Sequence, residues 1–167
     1  MRYLCVASFL WLLLLCSGCY SLKGVSIAPE VKSFTLAQFQ NAAGSAPPSL
    51  AQEFGEKLKL KVIQNTRLIY TSSGGHLEFS GTITGYRIST LAPNASSVSA
   101  LGRLEITVEV DCKNTLNKDT KEDWHQSFSR FADYSADTNF SSVEQSLSAE
   151  ITKLLIEDIF NKAFTNW

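Results

Sequence analysis

Four cysteines and two histidines are the residues of this chain best equipped for covalent or metal chemistry. Cys5 and Cys16 lie in an apolar N-terminal run, which leaves Cys19 and Cys112 for the rest of the protein. Cys19 follows Cys16-Ser17-Gly18, with the small residues that a lipoprotein signal peptidase requires before a cysteine it exposes for lipid attachment. Cys16 stands where a larger aliphatic is usual. The expectation is a lipidated Cys19, the plainer alternative being an ordinary cleaved signal with Cys19 left free. A thioether diacylglycerol plus an amide-linked chain would anchor the protein firmly, since stable attachment takes two or more acyl chains.

The remaining chemistry is sparse. Cys112 and His125 could meet on neighbouring strands, but a nucleophilic thiol needs a polar, partly exposed setting, and Cys112 sits in a strand pattern that buries it. Neither His76 nor His125 has Cys, Asp, Glu or His at metal-ligand spacing on a plausible element, so no zinc site is expected. There is no Gly-x-Ser-x-Gly elbow and no phosphate-binding glycine loop; Gly74-Gly75 reads as a hairpin turn. Asn94-Ala95-Ser96 and Asn139-Phe140-Ser141 match the glycosylation sequon, which in an exported bacterial lipoprotein is read as coincidence. No nucleophile–base pair, metal or cofactor site emerges, and the chain is read as a non-enzyme.

The elements that must position these residues begin after a leader. Met1 and Arg2 give a short positive start, and Tyr3 to Leu15 is apolar and uncharged. Residues 1–18 therefore read as a secretory signal rather than a spanning helix. Of 15 basic residues Arg2 leaves with the signal, so 14 face 16 acidic ones and the net charge becomes −2. The bases are dispersed, which argues against a nucleic-acid footprint. Residues 19–30 are a tether with Gly24 and Pro29 as breakers, and 31–167 form one domain of a size that closes a single core.

Within that domain Val31–Phe39 reads as a first strand and 40–48 as a loop. A helix over 49–65 has Leu50, Phe54, Leu58 and Val62 four apart on one stripe. Glu53 and Lys57 are spaced for an i,i+4 pair. Its polar face carries both signs, so it reads as a core helix rather than one lying in a bilayer interface. Arg67–Tyr70 reads as a short strand, closed by a turn at Ser72–Gly75. A longer strand carries Leu77, Phe79, Gly81 and Ile83 on one face, then Tyr86 and Ile88 on the opposite parity, which places a one-residue bulge near Gly85. Ser89–Ala100 reads as a loop. In the third strand Leu104, Ile106, Val108, Val110 and Cys112 share one face, and Arg103, Glu105, Thr107, Glu109 and Asp111 the other. A fourth strand, Glu122–Ala132, holds Trp124, Phe128 and Phe131. The last element is a helix over 142–164 with Val143, Leu147, Ile151, Leu154, Leu155 and Ile159 on its apolar face. A capping box is expected from Ser141 or Ser142 with Glu144 or Gln145. The fold class is α+β: a four-stranded mixed sheet with two helices packed on one face, in the order β-α-β-β-β-α.

Several segments, in order, resemble the lipopolysaccharide-assembly lipoprotein family LptE. They are Cys19-Tyr20-Ser21-Leu22-Lys23-Gly24, Gly81-Thr82-Ile83-Thr84-Gly85-Tyr86, Arg103-Leu104-Glu105-Ile106-Thr107-Val108, Phe128-Ser129-Arg130-Phe131-Ala132-Asp133 and Glu157-Asp158-Ile159-Phe160-Asn161-Lys162-Ala163. No one of them is diagnostic; their order and spacing together carry the resemblance, over nearly all of the mature chain. It implies a non-catalytic protein held by lipid on the periplasmic leaflet of the outer membrane. Such a protein plugs a large β-barrel partner, LptD, and binds lipopolysaccharide in transit. Arg130 falls in the matching fourth-strand segment, and Arg103 at the edge of the loop between the second and third strands. Both become candidates for a lipopolysaccharide phosphate or the barrel, since guanidinium suits bidentate phosphate contacts; each has an equal reading as a solvated surface arginine. The rivals are another outer-membrane lipoprotein, of a secretion pore or a surface glycan-binding complex, and a periplasmic enzyme.

Overall fold

A computed structural model of the chain describes residues 27–92, 100–116 and 123–165. The signal, Cys19 and the Asn94 sequon lie outside the described residues. The elements are β1 (Ser33–Leu36), β2 (Gln40–Asn41), α1 (Leu50–Asn65), β3 (Ile69–Tyr70), β4 (Leu77–Leu91), β5 (Leu101–Asn114), β6 (Trp124–Ser135) and α2 (Phe140–Phe164). Among the described residues no helix is long and apolar enough to cross a membrane.

All six strands join one mixed sheet in the order β3-β1-β4-β5-β6, with β2 also on β4. β1 runs parallel to both β3 and β4, and α1 supplies the crossover that a parallel β1–β3 pair requires. β4, β5 and β6 form an antiparallel meander. Among the described residues the sheet thus has six strands rather than four. The expected strand over 31–39 splits in two for a reason visible in its packing. After Leu36 the chain leaves the ladder so that Phe39 can lie against Gly81 and meet the Phe54 ring at 5.2 Å. Gln40–Asn41 then rejoins β4 at Thr82 and Ile83.

The pairing of β4 with β5 slips between Ile83 and Gly85, the bulge that the parity change at Tyr86 predicts. Both strands outrun the expected loop: β4 continues to Leu91 and β5 starts at Leu101. α1 and α2 lie on one face of the sheet. Leu50, Phe54, Leu58 and Val62 of α1 are buried there, with Ile151, Leu155 and Ile159 of α2 and Leu104, Ile106, Val108 and Val110 of β5. Leu154, expected on the apolar stripe, is only half-buried, because the stripe runs through Leu147, Ile151, Leu155 and Ile159 instead.

Two local expectations fail. The helix α2 is capped not by a serine box but by Asn139, whose Oδ1 accepts from the Ser141 amide at 3.0 Å. Glu144 is drawn away from the terminus by the Tyr86 hydroxyl, which donates to it at 2.7 Å. Glu53 and Lys57 form no ion pair; Glu56 and Lys59 do, at 2.7 Å.

Candidate functional site

The helices cover one face of the sheet, and the other face of β4, β5 and β6 is left open. Strand alternation puts Arg103, Glu105, Thr107, Glu109 and Asp111 on that open face, each partly exposed between buried neighbours. Antiparallel register then sets Arg103 opposite Asp133, Glu105 opposite Phe131, Thr107 opposite Ser129 and Asp111 opposite His125.

These neighbours form a laced polar surface. Arg103 donates from Nε to Asp133 Oδ1 at 2.6 Å and from Nη2 to Oδ2 at 2.9 Å. The same guanidinium stacks over the Phe131 ring, 3.5 Å from its centroid, while that ring remains 50% exposed. The hydrogen bond from Arg103 holds the Asp133 carboxyl below the usual carboxylate range. Ser129 donates to Glu105 at 3.0 Å and lies 3.0 Å from the Thr107 hydroxyl. His125 Nδ1 sits 2.9 Å from Asp111.

The two candidate arginines do not share a site. Arg130 is in register with the buried Ile106, so it faces the helix layer. There it makes a bidentate pair with Asp158 of α2 at 2.6 and 2.8 Å, tying the edge strand to the helix. Arg103 belongs to the open face. Each guanidinium is already matched to a carboxylate, and an incoming phosphate would have to displace it. The segments holding both carboxylates were legible in the sequence, but the pairings join positions 30 and 28 residues apart. The exposed Phe131 beneath Arg103 was likewise unforeseen; its break from the Trp124–Phe128 spacing was the available signal.

Cys112 and His125 cannot meet, because Cys112 is buried on the helix side and His125 is exposed on the open face beside Asp111. His76 is engaged in the backbone, its Nδ1 accepting from the Lys32 amide at 3.1 Å. Among the described residues no group of three or more His, Cys, Asp or Glu could hold a metal. Asn139 of the second sequon is the α2 cap.

Residues 31–163 match the family model LptE, described as lipopolysaccharide-assembly. No curated protein matches the chain. Among solved structures, a putative neuraminyllactose-binding hemagglutinin homolog from Helicobacter pylori aligns with TM-score 0.54 at 10% identity, over 86% of this chain and 88% of that one. A hypothetical protein from Chlamydia trachomatis gives 0.53 at 7% identity, over 81% and 99%. A minor lipoprotein from Acinetobacter baumannii gives 0.51 at 14% identity, over 79% and 91%. At these identities the likeness is one of fold.

Proposed function

This chain belongs to the LptE lipopolysaccharide-assembly family, and from that premise we propose that it is a lipid-anchored outer-membrane lipoprotein that plugs and helps assemble an LptD-type β-barrel. In this role it catalyses nothing. Cys19 carries the lipid, the domain stands on the periplasmic leaflet, and lipopolysaccharide is handled in the complex with the barrel.

The observation that supports this reading best is the open sheet face. A protein seated inside a barrel meets a polar lumen wall, so its contact surface must offer hydrogen bonds rather than grease. The open face of β5 and β6 does so, with Arg103–Asp133, Glu105–Ser129–Thr107 and Asp111–His125 already held in place. Phe131 under Arg103, on the edge strand β6, supplies a large exposed apolar contact beside them. Buried aromatic and arginine anchors dominate interface energetics.

A mild-detergent pull-down of tagged protein should recover a large outer-membrane β-barrel. Depletion should lower both mature barrel and surface lipopolysaccharide. Normal amounts of both after depletion would refute the assignment, and a secretion-pore component in the pull-down would replace it.

A further inference from the structure

The second half of α1 differs from the first in a way that composition averages out. Its acids, Glu53 and Glu56, lie in the N-terminal half. From Lys57 to Leu77 the chain holds Lys57, Lys59, Lys61 and Arg67 and no Asp or Glu. On the outward face of this half stand two aliphatic side chains where a solvated helix would carry polar ones: Leu60 is 49% exposed and Ile63 42%. They sit three residues apart, side by side on the helix surface. Tyr70 of the edge strand β3, 37% exposed, extends the patch, with the Lys59 ammonium 5.0 Å from its ring centroid. On the other flank a groove of about 350 Å³ runs between the helices, lined by Lys57, Leu60, Lys61, Lys153 and Ile156. Lys61 lies 5.4 Å from the Phe160 ring. Glu56 is engaged by Lys59, and Glu157 shares the groove lining with Lys57, Lys61 and Lys153.

We infer that this patch rests on an anionic phospholipid surface, with the lysines against headgroup phosphates and Leu60, Ile63 and Tyr70 inserted at the headgroup boundary. Apolar side chains ringed by lysine are the chemistry of a peripheral membrane contact. The course of the chain places such a surface within reach. Arg67, two residues past the end of α1, donates to the Ile27 carbonyl at 3.0 Å, which ties the first described residue to the chain just beyond the C-terminal end of this helix. Ile27 is eight residues on from Cys19, a reach of at most about 28 Å. This orientation rests on the lipid anchor proposed above; the patch itself does not. A single acyl-bearing tether would hold the domain near the bilayer, and the patch would fix which side faces it.

The test uses the mature chain from residue 20, made without lipid. Its buried core lies within residues 31–164, so the domain folds without the anchor. Flotation with phosphatidylglycerol–phosphatidylcholine vesicles should recover the protein at low salt and release it at high salt, while pure phosphatidylcholine vesicles should not retain it. Lys57→Gln with Lys61→Gln should weaken binding about 25-fold, at roughly fivefold for each lysine. Leu60→Ser with Ile63→Ser should weaken it by roughly tenfold, and thermal melts should show both variants folded. Equal recovery on both kinds of vesicle, or binding unchanged in the lysine variant, would overturn the inference. So would a self-associated mature chain whose dimer, rather than its vesicle binding, is lost in the Leu60/Ile63 variant. None of these measurements involves the barrel. Failed flotation alongside normal barrel recovery would sink this inference alone, and the reverse pattern would sink the proposed function alone.

Discussion

Cys112 hangs from β5 into the helix-facing core, 4% exposed, and burial pushes its thiol up to about 12. Thiol reagents should label it only as fast as the protein unfolds, which a native-versus-denatured labelling time course measures. Cys112→Ser should cost about 1–3 kcal/mol for an unpartnered hydroxyl, and Cys112→Val less than about 1.5 kcal/mol, both read from denaturant melts. A thiol whose folded value is raised holds its proton longer in the native state than in the unfolded one. Its contribution to stability is therefore present below the ordinary thiol range and lost as pH rises from there toward 12, at about 1.4 kcal/mol per pH unit. The Cys112→Val protein should lose that part of the alkaline slope. On the open face the sign is opposite. Asp133 is held below the usual range by Arg103, so their pair persists above the ordinary carboxylate range and is lost as pH falls through the depressed value. Carboxyl NMR titration should show Asp133 returning toward an ordinary value in Arg103→Gln. The same variant should melt like wild type yet recover less barrel in the pull-down, because Phe131 loses its cap.

Element by element, glycines and one cap set the geometry. Gly102 of β5 lies against the Tyr134 ring and Gly81 of β4 against the Phe39 ring, and a Cβ added at either would overlap the aromatic. Gly81→Ala and Gly102→Ala should each cost about 1–3 kcal/mol through overpacking. Gly44, with nothing within 4 Å of an added Cβ, serves as the control and should tolerate alanine. Chemical melts of the three variants decide the point. At the start of α2, Asn139→Ala should cost about 0.5–2 kcal/mol by removing the acceptor for the Ser141 amide. Ser142→Ala should leave that particular bond intact, which a serine capping box would not allow.

For the whole molecule, two groups of variants should separate. Leu155 is fully buried between α2 and the sheet, so Leu155→Ala should cost about 2–5 kcal/mol and lower protein and barrel levels together on immunoblots. Leu154→Ala, at a half-buried position, should do less of both. Cys19→Ala should convert the protein from an outer-membrane to a soluble periplasmic species in fractionated cells. A Cys19→Ala chain that still floats with outer membranes lacking the barrel would remove lipid as the anchor and leave the α1 patch as the explanation.

Much of this architecture could be read from the order of residue types. Apolar residues every second or every fourth position announce β4, β5, α1 and α2, because burying one face is the dominant energetic demand on each. The parity change from Ile83 to Tyr86 announced the bulge for the same reason. Residues 33–36, 40–41 and 69–70 are too short for any period, and their places in the sheet depend on β4 offering a ladder and on Phe39 finding Gly81. Strand parity already put Arg103 on the polar face of its strand, but the partners of Arg103 and Arg130 could not be read along the chain, since they lie 30 and 28 residues away. Only the assembled sheet paired one with Asp133 on the open surface and the other with Asp158 of the helix. Composition made α1 a helix of mixed charge, and periodicity buried one side of it. The run of lysines and aliphatics in its second half is a fact of the sequence; that Leu60 and Ile63 stay exposed there, and that Arg67 just beyond holds Ile27, was decided by tertiary contacts, because packing acts through distances in space that sequence separation does not measure.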